Sequence, residues 1–207
     1  MFEEVLAEYN IRVNTISDIF EHLPTLRKYS LECESILELG VRNCVSSWAF
    51  ALGLLENGKK SKLLFMNDIN VCKTAEIEAC TRDTDLEIRT IWANNLTIDL
   101  GQNVDMTFID TWHVYGQLKR ELAKFAPLTR KYIIMHDTTV DEWDGETKRN
   151  IHKYDAKKQS EETGIPLEEI MKGLWPAIEE FLATNKEWVL KEKYTNNNGL
   201  TVLARVV

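Results

Sequence analysis

The chain is organised around Ile36-Leu37-Glu38-Leu39-Gly40-Val41-Arg42-Asn43-Cys44-Val45-Ser46, an apolar strand followed by a glycine turn and the start of a helix. In a doubly wound sheet, ligands bind in the crevice beyond the carboxyl ends of the strands, and Gly40 is expected there because it allows close backbone approach. Arg42 and Val45 occupy the positions of the second and third glycines of G-x-G-x-x-G, which argues against a bound pyrophosphate. A strand-to-helix turn also uses glycine for structural reasons, so the stretch alone leaves both interpretations open.

Short β-rich runs alternate with helical patterns on both sides of this stretch. Strands are predicted at 35–39, 63–67, 86–92, 104–110 and 132–136, with helices at 46–55, 71–81 and 114–125. Parallel neighbours need crossover connections, so this alternation predicts a parallel sheet covered by helices on both faces. After an amphipathic helix at 174–182, Asn198-Gly199 separates two further β runs, 188–194 and 200–206, and predicts an antiparallel hairpin. The predicted fold class is α/β: a doubly wound, mostly parallel seven-stranded Rossmann-like sheet with an antiparallel C-terminal hairpin.

The length favours one domain, 1–207, with two elaborations. Residues 1–34 have helical spacing of apolar residues, and Pro24 is expected to bend or break this helical extension. Residues 138–171 are charged and rich in turn signals, and we interpret them as a lid or insertion. A basic stretch within them, 148–158, is either a solvated helix face or a contact for an acidic ligand. Both elaborations are candidate surfaces for homo-oligomer contacts.

The charge balance excludes one large class of partner. Lys and Arg number 25 against 33 Asp and Glu, a formal net charge of −8, so no general positive field attracts a nucleic acid. The longest apolar run, 48–55, has eight residues, well short of the roughly 20 that span a membrane. The acidic start, Met1-Phe2-Glu3-Glu4, is unlike a secretory signal, so a cytoplasmic location with reduced cysteines is expected.

Polar residues at the ends of the second and third predicted strands are candidates for binding an adenosine ligand. Asp68 can accept both hydroxyl protons of a ribose, or it can be the N-cap of the following helix. Asn94 and Asn95 can hydrogen-bond adenine edges, or they can form a turn. Trp112 and Trp143 lie in predicted site loops, where an indole either stacks on a ring of a ligand or packs in the core.

Two carboxylates end the fourth and fifth predicted strands. Phe108-Ile109-Asp110 and Ile133-Ile134-Met135-His136-Asp137 both place an acidic side chain at a strand end. If the strands are neighbours, about 4.8 Å apart, Asp110 and Asp137 converge and repel unless they share a cation. Oxygen donors in an open site suit Mg²⁺ or Mn²⁺, with water or substrate hydroxyl groups completing the coordination.

Four histidines receive different interpretations. His113, three residues after Asp110, is the candidate general base, because an imidazole can take the proton of a hydroxyl whose pKa a metal has lowered. A helix-capping or core role for His113 is the alternative. His136 is expected to point away from Asp137, as neighbours in an extended strand do, and to support the site by a hydrogen bond. His22 and His152 are expected at the surface.

The order of these features resembles the class I S-adenosylmethionine-dependent methyltransferases, over residues 35–206. The final segments, 173–182 and 197–203, look like the closing helix and hairpin of the small-molecule O-methyltransferases. Asp-x-x-His followed 27 residues after its Asp by another Asp is similar to metal-dependent sugar O-methyltransferases, including those of macrolide and deoxyhexose sugars, and to the cephalosporin-pathway methyltransferase family.

The resemblance implies a role for each matching residue. Glu38 and Gly40 lie at the methionine end of S-adenosylmethionine, Asp68 holds the ribose, Asp110 and Asp137 bind the metal, and His113 deprotonates the acceptor. The full set of cofactor-binding candidates is Glu38, Gly40, Asp68, Asn94, Asn95 and Asp110. The sugar enzymes often have two adjacent acids where this chain has His136-Asp137, so the third metal ligand is unassigned among Asp141, Asp144 and water.

The expected function is transfer of a methyl group to a hydroxyl of a sugar, such as a deoxyhexose like rhamnose in a glycan, assisted by Mg²⁺ or Mn²⁺. The acceptor is a small molecule or glycan with vicinal hydroxyls. A catechol or another diol is the alternative acceptor. A non-catalytic module that binds S-adenosylmethionine, and a metal-dependent hydrolase using Asp110, Asp137 and His136, are alternatives from other classes.

Overall fold

A seven-stranded sheet forms the centre of the computed structural model, which describes residues 2–206. The strands are β1 (Ser35–Leu39), β2 (Lys62–Asp68), β3 (Leu86–Trp92), β4 (Val104–Ile109), β5 (Thr129–His136), β6 (Trp188–Tyr194) and β7 (Leu200–Arg205). Their order is β3-β2-β1-β4-β5-β7-β6; β1 to β5 are parallel, and β7 is antiparallel to both β5 and β6. The predicted α/β sheet with a C-terminal antiparallel hairpin is confirmed.

Helices cover both faces of this sheet. They are α1 (Phe2–Val13), α2 (Leu23–Ser30), α3 (Val45–Glu56), α4 (Ala75–Thr81), α5 (Tyr115–Phe125), α6 (Glu146–Arg149), α7 (Ala156–Thr163), α8 (Leu167–Met171) and α9 (Trp175–Thr184). Alternate residues of the buried strands point to opposite faces, so β1 contributes Ile36 to one core and Leu37 to the other. The first core lies against α1 to α3, and the second lies against α5 and α9.

The N-terminal helices pack on α3, at the outer side of the first core. Pro24 lies in the first turn of α2, which begins at Leu23 directly after the 3₁₀ turn Phe20–His22, so the predicted break in the helical extension falls beside this proline. The missing N–H of proline costs nothing in a first helical turn, where the amide has no intrahelical acceptor. No helix among residues 2–206 has both the length and the apolar character needed to cross a bilayer.

Residues 138–171 leave the end of β5 and contain the short helices α6, α7 and α8. A small separate core holds them together, formed by Val114, Ala156, Ile165 and Ile170. The segment is joined to the end of the sheet, because the amide of Glu146 donates to the carbonyl of His113 at 2.9 Å. This insertion therefore covers the carboxyl ends of β4 and β5.

Gly40 permits the closest backbone approach at this edge of the sheet. Its φ is +91°, and a Cβ atom at this position would lie 1.8 Å from the carbonyl oxygen of Asp110. Asp110 in turn donates its amide to the carbonyl of Leu39 at 2.8 Å. The glycine therefore sets the position of the loop that carries Asp110.

Substituting Gly40 by alanine should destabilise the fold more than a positive φ alone explains. Gly101 is the matched control, since its φ is +65° but nothing lies within 4 Å of an added Cβ. We expect Gly101→Ala to lower the free energy of unfolding by about 1–2 kcal/mol. Gly40→Ala should lower the free energy of unfolding by about 1–3 kcal/mol more than Gly101→Ala does, because the loop that carries Asp110 must shift. Urea denaturation measures both, and equal losses would contradict the steric argument.

Candidate active site

Two acidic side chains and an imidazole converge where β4 and β5 end. Asp110 follows β4, Asp137 follows β5, and the two strands are parallel neighbours. One ligand atom from each of Asp110, His113 and Asp137 lies within 4.8 Å of the others. The side chains retain 15%, 14% and 6% exposure respectively, so the cluster is largely removed from water.

His113 lies between the two carboxylates. Its Nε2 is 3.1 Å from Oδ1 of Asp110 and 3.1 Å from Oδ2 of Asp137. On the other side of the ring, Nδ1 is 3.3 Å from Oδ2 of Asp141. Asp141 is fully buried and accepts two hydrogen bonds from Arg149, at 2.6 and 2.9 Å. A proton on Nδ1 is therefore directed to Asp141, while Nε2 faces the two strand-end carboxylates.

His136 also faces the cluster, contrary to the expected orientation away from Asp137. Asp137 has a φ of +58°, so the chain has left the extended conformation and strand alternation no longer applies. The Nδ1 atom of His136 lies 3.2 Å from Oδ2 of Asp137 and 3.6 Å from Oδ1 of Asp110. Its Nε2 donates to the carbonyl of Asn197 at 3.1 Å, since a carbonyl oxygen can only accept.

The candidate metal ligands from the insertion do not join this cluster. Both carboxylate oxygens of Asp141 accept from Arg149, and one of them faces the far side of His113. Asp144 is exposed and pairs with Lys148 at 2.6 Å. The structure instead gives Asp141 a place behind His113, which sequence spacing did not indicate.

The electrostatics of the cluster follow from its crowding. Burial by itself would raise the pKa of Asp110, but His113 and His136 hold it far below its usual range. Burial would lower the pKa of His113, yet Asp110, Asp141 and Asp137 raise it well above its usual value. Burial also opposes protonation of His136, whose pKa Asp110 and Asp137 raise to about 10. The paired acids thus need positive charge beside them, as protons on imidazoles or as a cation.

A cavity of about 290 Å³ opens beside this cluster. Five of the six candidate cofactor residues line it: Gly40, Asp68, Asn94, Asn95 and Asp110. Trp112 and, from α7, Thr163 contribute to the same wall. Asp110 therefore borders the cavity and belongs to the acid–imidazole cluster at once.

Asp68 holds the glycine turn as well as lining the cavity. Its Oδ2 accepts from the amides of Val41 and Arg42 at 3.0 and 3.1 Å, and its Oδ1 accepts from Asn70 at 2.9 Å. Burial would raise the pKa of Asp68, but these amides lower it below its usual value. The alternative role as a helix N-cap is wrong, because α4 begins at Ala75 after Thr74.

The two asparagines differ in their surroundings. The side-chain oxygen of Asn94 accepts a hydrogen bond from the amide of Leu96 at 2.9 Å, so Asn94 is a turn residue. It also lines the cavity. Asn95 is buried, and its Nδ2 donates to Glu121 at 2.5 Å. Glu121 is itself fully buried and also accepts from Thr111 and Gln117. This polar network under the cavity floor was not predicted from the sequence.

Glu38 does not line the cavity. It is fully buried, and its two carboxylate oxygens accept from the hydroxyls of Ser46 and Ser47 at 2.5 and 2.7 Å. Burial raises the pKa of Glu38 to about 8, although the two hydroxyls oppose that shift. The structure gives this carboxyl contacts with the first turn of α3, and its expected role at the methionine end stays a prediction.

The remaining aromatic and histidine predictions have mixed outcomes. Trp112 lines the cavity and donates to the hydroxyl of Thr147 at 3.2 Å, whereas Trp143 is 57% exposed on the insertion. His152 is exposed, as expected. His22 is only 1% exposed, so its predicted surface position is wrong. Its Nε2 lies 3.0 and 3.2 Å from the carbonyls of Asn196 and Asn197, in the β6–β7 hairpin loop.

The strand order and the position of the cavity define the fold of the class I S-adenosylmethionine-dependent methyltransferases. Solved structures of that class are similar over nearly the whole chain. An O-methyltransferase from Bacillus cereus bound to S-adenosylhomocysteine has a TM-score of 0.59 at 14% identity, over 99% of this chain and 90% of that one.

Two further solved structures are similar to this chain. The O-methyltransferase TomG from Streptomyces achromogenes, involved in tomaymycin synthesis and solved with S-adenosylmethionine, gives a TM-score of 0.59 at 13% identity, over 93% of this chain and 82% of that one. A methyltransferase from Geobacter sulfurreducens gives a TM-score of 0.57 at 14% identity, over 100% of this chain and 86% of that one. No protein-family model and no curated protein matches the sequence. The likeness is therefore one of fold, and the expected fold of this class is confirmed.

Glu38 should make stability depend on pH. Its pKa is raised on folding from an ordinary carboxyl value to about 8, so the folded state binds more protons between roughly pH 4.5 and 8. Stability of the wild type should therefore fall as pH rises through that window, by at most about 1.4 kcal/mol per pH unit from this group. Glu38→Gln should remove that part of the slope.

Thermal and urea unfolding at several pH values measures how the free energy of unfolding depends on pH in the variant and in the wild type. Glu161→Gln on the exposed face of α7 is the charge-matched control. A Glu38→Gln curve that runs parallel to the wild type from pH 4.5 to 8 would show that this carboxyl is ionised throughout.

Proposed function

We propose that this chain is an S-adenosylmethionine-dependent O-methyltransferase acting on a hydroxyl of a sugar, with a divalent metal ion and His113 as general base. The observation that carries the proposal is the double position of Asp110, which borders the cavity and belongs to the cluster with His113 and Asp137. A cofactor in the cavity and an acceptor at the cluster would therefore be neighbours.

The donor set of the cluster fits a divalent cation. Ligands held at about 2.1 Å from a cation lie roughly 3.0–3.4 Å from their neighbours in common geometries. The Nδ1 atom of His136 lies 3.2 Å from Oδ2 of Asp137, within this range, and 3.6 Å from Oδ1 of Asp110, slightly beyond it. Asp110 and Asp137 would hold Mg²⁺ or Mn²⁺, which lowers the pKa of a coordinated hydroxyl.

His113 is suited to take the proton from that hydroxyl. Asp141 orients the ring through Nδ1 at 3.3 Å, and Arg149 fixes Asp141 in turn. In the neutral ring Nε2 is then the nitrogen that accepts a proton, and it faces Asp110 and Asp137, between which a metal-bound hydroxyl would lie. The arrangement is an imidazole oriented by a buried acid, as general-base catalysis requires.

The cavity supports S-adenosylmethionine as the cofactor. Asp68 retains acceptor capacity for ribose hydroxyls in addition to its three amide contacts, since a carboxylate offers about four lone-pair sites. Asn94 faces the same space, and Gly40 itself carries no side chain into it. When bound, the cofactor would supply a methyl group carried on a sulfonium sulfur, and the sulfur would depart as a neutral thioether.

Polar residues of the insertion support a hydroxylated acceptor. Glu146 lies 3.8 Å from Nδ1 of His113, and the hydroxyl of Tyr154 donates to it at 3.2 Å. Trp143 presents an exposed indole on the same insertion, a surface on which sugar rings commonly stack. Together these groups would hydrogen-bond and stack on an acceptor with several hydroxyls, as a sugar has, and the insertion would exclude water from the transfer.

Purified protein, radiolabelled S-adenosylmethionine and Mg²⁺ or Mn²⁺ should transfer label to a sugar with vicinal hydroxyls, rhamnose included, and EDTA should abolish the transfer. A catechol and a panel of other diols test the alternative acceptors. Transfer to catechol alone would overturn the sugar assignment. Tight cofactor binding with no transfer to any acceptor would favour a non-catalytic module.

Removing the imidazole of His113 should slow turnover strongly without weakening cofactor binding. We expect His113→Gln to lower the rate of transfer by about 10²–10⁴-fold, the usual contribution of a general base. The dissociation constant for S-adenosylhomocysteine, measured by calorimetry, should stay within about threefold of wild type because His113 does not line the cavity. His152→Gln, an exposed histidine, is the control, and a variant of His113 with full turnover would exclude it as the base.

Asp141 should act as a positioning residue for His113. We expect Asp141→Asn to reduce kcat by about 10- to 100-fold, while the KM for S-adenosylmethionine is unchanged. Asp144→Asn, an exposed neighbour on the same insertion, is the matched control. A purely structural role for Asp141 would instead lower the unfolding temperature and the amount of active enzyme, and would leave the kcat of the folded fraction at the wild-type value.

A further inference from the structure

His136 carries an unsatisfied polar atom aimed at the paired carboxylates. Its side chain is fully buried, and Nδ1 makes no hydrogen bond within the described residues 2–206. The same atom lies 3.2 Å from Oδ2 of Asp137 and 3.6 Å from Oδ1 of Asp110. When the ring is charged, Asp137 faces the Nδ1 proton, but in the neutral ring the Nδ1 lone pair faces two carboxylates and is repelled by them unless a cation lies between.

The opposite side of the ring fixes its tautomer. Nε2 donates to the main-chain carbonyl of Asn197 at 3.1 Å, so the proton of the neutral ring lies on Nε2 and the lone pair lies on Nδ1. Histidines that bind metals usually donate their other ring N–H to a carbonyl or carboxylate in this way. The Asn197 carbonyl therefore prepares His136 to bind a cation through Nδ1.

The other candidates for a third ligand are less suitable. Both oxygens of Asp141 are engaged by Arg149, and Asp144 is exposed beside Lys148. His113 faces the same carboxylates, but its ring is 14% exposed and can reach an acceptor, whereas the ring of His136 is 0% exposed and cannot.

We propose that His136 is the third protein ligand of the metal, through Nδ1, beside Asp110 and Asp137. This inference rests on the metal-dependent function proposed above and specifies its ion. An imidazole nitrogen suits transition-series cations, whereas Mg²⁺ binds best among oxygen donors. The site therefore selects Mn²⁺ and its heavier divalent neighbours, such as Co²⁺, over Mg²⁺.

Electron spin-echo spectroscopy of the Mn²⁺-loaded protein tests the ligand directly. We expect modulation from one directly coordinated ¹⁴N nucleus, which changes to the ¹⁵N pattern when the protein is grown on ¹⁵N-histidine. Because this measurement uses the unaltered sequence, it does not depend on how well a variant folds. Bound Mn²⁺ without any histidine nitrogen coupling would overturn the inference.

Three variants assign the nitrogen to one residue. His136→Gln should lose the coupling and weaken Mn²⁺ binding by about tenfold or more. His113→Gln should keep the coupling, because His113 is the base and not the ligand. His22→Gln is the matched control, since His22 is a buried imidazole 5.7 Å from the ring of His136 that shares the Asn197 carbonyl and should leave the coupling intact. Coupling that survives in His136→Gln and disappears in His113→Gln would overturn the assignment.

Metal preference provides a second readout. Calorimetry with Co²⁺, Mn²⁺ and Mg²⁺ should show the tightest binding for Co²⁺ in the wild type, and His136→Glu should narrow the ratio of Co²⁺ to Mg²⁺ affinity by about tenfold or more. An unchanged ratio would overturn the proposed selectivity. Failure of the wild type to bind any of these ions would overturn this inference and the metal in the proposed function together. Binding of S-adenosylhomocysteine and metal-free transfer would then decide separately whether the methyltransferase assignment stands.

Discussion

Repulsion between Asp110 and Asp137 is the constraint around which this edge of the sheet is built. Parallel neighbouring strands bring the two acids together, and burial leaves little water to screen them. Two successive shells of residues offset that repulsion. His113 and His136 lie against the two acids, and Asp141 and the Asn197 carbonyl hold the far sides of the two rings. This layering ties the insertion and the C-terminal hairpin to the same pair of charges.

The cavity and the acid–imidazole cluster are mechanically joined through the turn after β1. Gly40 lies so close to the carbonyl of Asp110 that no side chain fits between them, and Asp68 holds the next two amides of the turn. A displacement of this turn would therefore move the lining of the cavity and one acid of the cluster together. Such coupling suits a reaction in which two bound molecules must be aligned to within fractions of an ångström.

The sequence predicted the sheet closely because its strands are apolar runs separated by helical periodicity. β1, β3 and β6 begin and end where the patterns placed them, and Asp110 and Asp137 converge because neighbouring parallel strands end at one edge. Side-chain direction beyond a strand end was not predictable. The left-handed φ of Asp137 reverses the expected direction of His136, and the burial of His22 depends on a hairpin about 175 residues later in the chain.

The hairpin between β6 and β7 reaches His22 and His136 through main-chain oxygens, with Asn197, Asn198 and Gly199 all in the left-handed region. The side chains at these positions are constrained as well: the Asn197 side chain bonds the main chain of Ser17 and Glu21, and an added Cβ at Gly199 would lie 2.3 Å from Oγ1 of Thr139. Insertion or deletion of one residue there would withdraw the oxygen from both rings. Distant relatives that share this arrangement should thus be recognisable by a conserved loop length together with asparagine or glycine at the left-handed positions.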